Sequence, residues 1–191
     1  WRLRLRGEHW RVFGAQSDIQ TRSDYRIIRF MDRRNFLALT AALPLAGATR
    51  KRIALVITEY RLNAHADVIA GRLMGGYEYY VKTVTPRTHP VTMYTAQVPK
   101  NDMSRDMAAK HGVKIHSTIR EALTSGGDKL AVDGVVLIGE HGNYPYNEKG
   151  QHMYPRYELF KQIVEVYEAS GRAAPTFCDK HLSYDWEKAK W

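Results

Sequence analysis

The sequence predicts an α/β fold: one domain with a doubly wound, Rossmann-like and mostly parallel sheet. Short, continuously apolar segments, typical of strands buried on both faces, alternate along the chain with longer segments of helical periodicity. Units of strand, helix and strand in this order pair in parallel through right-handed crossovers. A mixed α+β sheet is the alternative that the pattern leaves open.

The elements follow one another in chain order. Ile53–Ile57 is the first strand, and a polar loop leads into a helix from His65 to Met74 that ends at Gly75-Gly76. The later elements are a strand at 91–96, a helix at 104–110, a strand at 113–115, a helix capped by Thr118, a strand at 132–138, a helix at 157–169 and a strand at 175–178. The last residues, 184–191, are typical of the start of a helix. We therefore interpret residues 49–191 as one domain of a longer protein whose C-terminal domain is missing.

Residues 31–48 have the pattern of a twin-arginine export signal. Arg33-Arg34 precede Phe36-Leu37 and a weakly apolar stretch, and Ala46-Gly47-Ala48 fits an A-x-A cleavage site. The apolar run of about ten residues is half the roughly twenty that a membrane span needs, so we expect no stable membrane insertion. The alternative is an arginine pair before a short buried helix. We expect the twin-arginine export machinery to recognise the chain and carry it to the periplasm.

Residues 1–30 are interpreted as an upstream leader, non-native or disordered, because they hold seven arginines and no sustained apolar period. Residues 1–52 contain twelve Lys and Arg against four Asp and Glu, whereas the rest of the chain contains seventeen against sixteen. The net charge of +9 therefore belongs to the leader and signal, and we expect no nucleic-acid partner for the domain. The single cysteine, Cys178, excludes an internal disulfide and is more typical of core packing than of a nucleophile.

Ligands bind beyond the carboxyl ends of the strands in a sheet of this kind, where the strand order reverses. This rule selects three loops, Thr58–His65, Gly139–Tyr154 and Asp179–Ser183. Their ionisable residues are Glu59, Arg61, His65, Glu140, His141, His152, Asp179, Lys180 and His181. Two histidines and a carboxylate in the second loop could bind Zn²⁺ or act as acid and base, although no metal-ligand spacing selects a ligand set. Each histidine can equally be a solvated loop residue.

The segment from Tyr144 to Tyr157 contains four tyrosines and two prolines. Aromatic side chains beside polar groups suit stacking on a sugar ring, and they suit a contact with another domain or subunit equally well. A loop of this length in a compact domain is usually functional.

Three stretches of the chain carry a family resemblance. Arg105–Val113 with Thr118–Leu123 is similar to a helix, a third strand and a following helix, and Val132–Ile138 is similar to a D-A-V-V-I fourth strand. The third resemblance is to a stretch of the form a-G-K-x-V-x-x-E-K-P-L. It is carried by Gly171-Arg172, followed by Asp179-Lys180-His181-Leu182-Ser183 and Glu187-Lys188-Ala189. Together they resemble the nucleotide-binding domain of the glucose–fructose oxidoreductase/inositol dehydrogenase (Gfo/Idh/MocA) family.

The resemblance implies an oxidoreductase that acts on a sugar or polyol, with NAD or NADP as cofactor, and the twin-arginine pattern implies that it is exported. It implies a catalytic role for Lys180, as proton donor and acceptor beside the reacting hydroxyl, with His181 next to it. The cofactor-binding residues that it implies are Thr58, Tyr60, Arg61, Glu140 and Asp179.

Departures from the family pattern keep other functions open. The first loop has no glycine that would let backbone N–H groups approach a pyrophosphate, and the second strand ends without an acid for the ribose. Asp179 and His181 replace the family's glutamate and proline. One alternative is a cofactor-free Rossmann-like periplasmic protein that binds a carbohydrate or a metal through Glu140, His141 and His181. Another is a non-enzymatic interaction domain that uses the tyrosines. Substrate and oligomeric state stay open.

Overall fold

A computed structural model describes residues 49–191, so the leader and export signal predicted at 1–48 lie outside the described residues. The predicted fold class is confirmed, because five parallel strands form one sheet with helices packed on both faces. The strands are β1 (Lys51–Ile57), β2 (Tyr77–Tyr79), β3 (Lys82–Val84), β4 (Thr88–Thr95), β5 (Lys114–Ile115), β6 (Gly134–Ile138) and β7 (Thr176–Cys178). The helices are α1 (His65–Gly75), α2 (Ser104–His111), α3 (Ile119–Thr124), α4 (Arg156–Ser170) and α5 (Trp186–Lys190).

The strand order in the sheet is β5-β4-β1-β6-β7, and it reverses between β1 and β6. Ile57 at the end of β1 pairs with Ile138 at the end of β6, and Leu137 pairs with Cys178 at the end of β7. The three strands therefore end in step, and the residues that follow them emerge at one edge of the sheet.

The core lies on both faces of the sheet, which explains the continuous apolar run in β1. Ala54 and Val56 pack with α3 and α4, whereas Leu55 and Ile57 pack with α1 and α2. All four side chains are fully buried. Burial of an aliphatic side chain of this size stabilises the fold by roughly 1.5–3 kcal/mol, so this strand anchors both layers.

Several helix boundaries predicted from glycine and threonine are confirmed. Gly112 and Gly171 end α2 and α4 in the left-handed conformation, with φ of +68° and +63°. The Thr118 hydroxyl accepts the N–H of Glu121 and caps α3. Within residues 49–191 no helix combines the length and the apolar character needed to cross a membrane.

Two features differ from the predicted elements. The second sheet strand, β4, begins at Thr88 rather than Val91 and includes Pro90, because a shift of register opposite Pro90 accommodates the missing N–H. The hairpin of β2 and β3 was not predicted. Gly76, with φ +80°, makes the turn into it, and a Cβ at this position would lie 2.8 Å from the carbonyl oxygen of Val84.

Candidate functional site

The three loops selected from the sequence meet beyond β1, β6 and β7. The hydroxyl of Thr58, the first residue after β1, is directed inward and donates to the carbonyl of Glu140 at 2.6 Å. The N–H of Thr58 donates to the carbonyl of Ile138 at 3.1 Å, and the N–H of Gly139 donates to Asp179 Oδ1 at 3.3 Å. These bonds tie the three strand ends together, so the side chains beyond them are carried on well-fixed backbone.

A histidine and two carboxylates converge at this edge, and we call His65, Glu140 and Asp179 the strand-end site. His65 is the first residue of α1, Glu140 lies two residues after β6, and Asp179 follows β7 directly. His65 Nδ1 lies 2.8 Å from Asp179 Oδ2, and one potential ligand atom from each residue lies within 4.8 Å of the others. Imidazole nitrogen and carboxylate oxygen are common ligands of Zn²⁺ and Mn²⁺, so these residues can hold a divalent ion.

Asp179 is the most enclosed member of the strand-end site, with 3% of its side chain exposed. A buried carboxylate needs partners, and Asp179 has the His65 imidazole and the Gly139 N–H. Lys180 Nζ lies 3.2 Å from the same Nδ1 atom of His65. One ring nitrogen cannot donate to a carboxylate and accept from an ammonium group at the same time, so one of the two contacts is lost in either tautomer.

Arg156 positions the second carboxylate. Its buried guanidinium places Nη2 3.5 Å from Glu140 Oε2, and its Nε donates to the carbonyl of Gly139 at 3.2 Å. A Cβ on Gly139 would lie 2.5 Å from Arg156 Cγ, so this close approach requires glycine. Among residues 49–191, none donates a hydrogen bond to Glu140 Oε2, although the atom is shielded from solvent. The ion pair with Arg156 thus holds Glu140 in place and leaves the hydrogen-bonding capacity of Oε2 unused.

The two residues predicted to be catalytic have different partners. Lys180 contacts His65, as described above, whereas His181 contacts Arg156. Arg156 Nη1 donates to the His181 carbonyl at 3.0 Å and also lies 3.0 Å from His181 Nδ1. Reasoning from the sequence did not select Arg156, because an arginine at the start of a helix has no distinguishing pattern.

Arg61 and His141 form the rim between the first two loops. Arg61 Nε donates to Glu59 Oε1 at 2.6 Å, and Arg61 Nη2 lies 3.2 Å from His141 Nδ1. Burial, and then the charges of Arg61 and His65, lower the pKa of His141. The His141 ring packs edge-on against His65 at a centroid distance of 5.1 Å. His141 is thus a neutral imidazole beside the strand-end site near pH 7.

Two of the predicted cofactor contacts, Thr58 and Tyr60, are fully buried. A Cβ on Gly71 of α1 would lie 3.6 Å from the Tyr60 hydroxyl oxygen, and burial, followed by the charge of Asp67, raises the pKa of Tyr60. Asp67 Oδ2 accepts the N–H of Asn63 at 3.0 Å, at the N-terminus of α1. In dinucleotide-binding sheets this helix end holds the pyrophosphate, whereas here the first turn of α1 carries the negative charge of Asp67.

The loop after Gly139 contains a stack of aromatic rings. Tyr146 stacks on His152 at a centroid distance of 4.4 Å, and His152 lies 4.1 Å from the ring of Tyr154. The guanidinium of Arg156 lies 5.3 Å from the centroid of Tyr154, and His152 Nε2 donates to the carbonyl of Tyr144 at 2.8 Å. His152 therefore belongs to this stack, and the structure does not bring it together with His65 and Asp179.

The chain matches no protein-family model, and no curated protein or solved structure matches it. The family resemblance therefore stays a prediction from the motifs, and the functional argument depends on the geometry of the strand-end site.

Proposed function

We propose that this protein binds a divalent metal ion, Zn²⁺ or Mn²⁺, at the strand-end site and uses it on a small carbohydrate-like substrate. The observation that carries the proposal is the convergence of His65, Glu140 and Asp179 from three separate loops, with potential ligand atoms within 4.8 Å of one another. This proposal is a form of the cofactor-free alternative, but with a different set of residues: His65 and Asp179 join Glu140 in place of the predicted His141 and His181.

The competition at His65 supports the proposal. An ion could bind both His65 Nδ1 and Asp179 Oδ2 at the same time, because both atoms would offer it a lone pair. The Lys180 ammonium group contacts only His65 Nδ1. Lys180 is exposed and can turn towards solvent when the ion binds. The positive charge of the ion would replace that of the ammonium group.

The unsatisfied oxygen of Glu140 supports it as well. Oε2 is enclosed and faces the Arg156 guanidinium at 3.5 Å, but it accepts no hydrogen bond from residues 49–191, so it can still serve as a ligand of an ion. The Gly139 N–H and the Arg156 guanidinium would orient Asp179 and Glu140 from behind, as outer groups commonly do in metal sites.

The proposed chemistry follows from the number of ligands. Three protein ligands leave open coordination positions, which is typical of catalytic rather than structural zinc sites. At such a position the ion acts as a Lewis acid that polarises an oxygen atom of the substrate. Hydroxyl and carbonyl oxygens of a carbohydrate are suitable for this interaction.

Isothermal titration of the full chain with Zn²⁺, Mn²⁺ and Mg²⁺ tests the proposal. We expect one Zn²⁺ or Mn²⁺ per chain, and His65→Ala or Asp179→Asn should weaken binding by at least about tenfold, a loss of about 1.4 kcal/mol. His111→Ala and Asp106→Asn, both on α2, are matched controls that should bind normally. Equal affinity in all five proteins would exclude the strand-end site.

A nicotinamide-dependent oxidoreductase is the second candidate. It is supported by the strand order, which reverses between β1 and β6 as in dinucleotide-binding sheets, and by the exposed Lys180 at that edge. Titration with NAD(H) and NADP(H) tests it directly. If either binds, Lys180→Ala should abolish polyol oxidation and Lys149→Ala, a loop control, should not. The absence of binding for both cofactors would reject this candidate.

Export by the twin-arginine route is proposed separately, on the Arg33-Arg34 pattern. Replacing both arginines with lysine should retain the full chain in the cytoplasm. Replacing Arg26 and Arg29 with lysine in the same way is the control, and it should leave export unchanged. Cell fractionation measures both, and equal export of the two variants would contradict this proposal.

A further inference from the structure

A second cleft lies outside the strand-end site, between the aromatic loop and the start of α5. Its volume is about 690 Å³, within the range of about 300–1,000 Å³ that is usual for small-molecule sites. Aromatic, amide and carboxylate side chains line it, among them Tyr146, Asn147, Glu148, Gln151, Asp185 and Trp186. We call this the aromatic cleft.

Two aromatic rings of the cleft are available to a ligand. Tyr146 is 66% exposed and Trp186 is 75% exposed. One face of Tyr146 stacks on His152, which packs in a tilted arrangement on Tyr154, so one face of the ring already has a fixed neighbour before any ligand binds. A ring fixed in this way loses little conformational entropy on binding, which favours affinity.

Trp186 is likewise presented by a defined element. It is the first residue of α5, and the side chain of Asp185 caps that helix by accepting the N–H of Lys188 at 2.9 Å. An exposed tryptophan that is carried on a capped turn and borders a cleft is a common contact for ligands with both apolar and polar surface.

The polar side of the cleft is a hydrogen-bonded turn. Asn147 Oδ1 accepts the N–H groups of Lys149 and Gln151 at 3.0 and 2.9 Å, and Asn147 Nδ2 donates to Gln151 Oε1 at 2.8 Å. The turn thereby fixes two amide side chains beside the aromatic rings. Asn147 Oδ1 is fully used within the turn, whereas the Gln151 amide nitrogen has no partner among residues 49–191 and can donate to a sugar hydroxyl.

The charges in the cleft favour an uncharged ligand. The negative charges of Glu148 and Asp185 are balanced in part by Lys149. Within the part of the chain that the structure describes, the lining also contains no arginine, the residue that would recognise a phosphate or a carboxylate. Rings that stack, amides that hydrogen-bond and a weak net charge together match the alternating C–H faces and hydroxyl edges of a pyranose.

We propose that the aromatic cleft binds a neutral carbohydrate, with a pyranose ring stacked against Tyr146 and Trp186. The inference goes beyond the proposed function, because it requires neither a metal ion nor turnover at the strand-end site.

Titration calorimetry of the full chain with cellohexaose, xylohexaose, maltohexaose and chitohexaose tests the inference. At least one of these oligosaccharides should bind, and Tyr146→Ala and Trp186→Ala should each weaken its binding by about tenfold or more. Tyr80→Ala and Trp191→Ala remove exposed aromatic rings outside the cleft and should bind like the unmodified protein.

Repeating the titration in excess EDTA separates this inference from the metal proposal. The chelator removes any ion from the strand-end site, and the carbohydrate affinity of the aromatic cleft should be unchanged. Three outcomes would overturn the inference: no binding of any of the four sugars, binding by the Tyr146→Ala and Trp186→Ala variants equal to that of the unmodified protein, or loss of binding in EDTA. The last result would move the carbohydrate to the strand-end site.

Discussion

The strand-end site and the aromatic cleft differ in the kind of side chain that forms them and in its exposure to solvent. The first consists of ionisable, partly enclosed groups at strand ends, and its His65 and Asp179 are 114 residues apart in the chain. The second consists of exposed rings on a loop and a short helix. Charges that are taken out of water depend on one another, whereas exposed rings depend mainly on what binds to them. Substitutions should therefore affect folding in the first region and only binding in the second.

Arg156→Ala should have the largest effect on this comparison. It removes the guanidinium that faces Glu140 and bonds to Gly139 and His181, and it leaves an enclosed carboxylate without a cation. We expect the free energy of unfolding to fall by about 3 kcal/mol in urea denaturation, as for other broken buried pairs. Arg120→Ala, at an exposed position, should change it by less than about 0.5 kcal/mol. Equal losses of stability in Arg156→Ala and Arg120→Ala would mean that the strand-end site does not depend on its buried cation.

Gly139→Ala tests the same region through shape alone. The added Cβ would lie 2.5 Å from Arg156 Cγ and would displace that side chain, so we expect a loss of about 1–3 kcal/mol in urea denaturation. Gly75→Ala at the end of α1 is the control, because its Cβ would meet the nearest atom, His111 Cε1, at an ordinary 3.5 Å. A stable Gly139→Ala variant would mean that Arg156 can move without cost.

The loss of stability in acid sharpens the comparison between the two regions. Part of that loss should come from His116, which lies in neither the strand-end site nor the aromatic cleft. Burial, and then the charge of Lys114, lower the pKa of His116 despite the opposing charge of Glu121. The unfolded chain therefore binds a proton more readily, and the free energy of unfolding should decrease as the pH falls from about 7 to 5. In urea denaturation at both pH values, His116→Asn should show a smaller decrease than the unmodified chain and Arg120→Ala the same decrease. An unchanged decrease in His116→Asn would contradict this.

Trp186→Ala should have the smallest effect on stability. Its side chain is 75% exposed, so we expect a change below about 0.5 kcal/mol in the free energy of unfolding. The same variant is expected to lose carbohydrate binding, which makes it the counterpart of Arg156→Ala. A large loss of stability would show that the ring supports the fold rather than a ligand.

The sequence predicted the sheet and the edge at which the three loops meet, because both depend on local pattern. Ile53–Ile57 is apolar throughout since each face of β1 has its own helical layer, and glycines mark the ends of α2 and α4 where the backbone turns left-handed. The hairpin at 77–84 escaped prediction because its strands have three residues each and are largely exposed, so they carry no burial pattern.

The contacts inside the strand-end site could not be predicted in the same way. The three loops follow from strand order, but the pairing of His65 with Asp179 requires the register of β1, β6 and β7. The position of Arg156 depends on a glycine 17 residues earlier that leaves room for its side chain. Such complementarity of shape has no signature in residue type or spacing.

The three-residue strand β7 has a consequence for how the domain is made. Among residues 49–191 it pairs only with β6, and Asp179 follows it directly. The strand-end site is therefore incomplete until β7 has emerged from the ribosome and joined β6. This association links distant parts of the chain and is slow to form. A short edge strand is also among the first segments to detach by local opening. An ion held by Asp179, His65 and Glu140 would bind only after β7 has paired with β6. Once bound, it would stabilise that pairing against local opening.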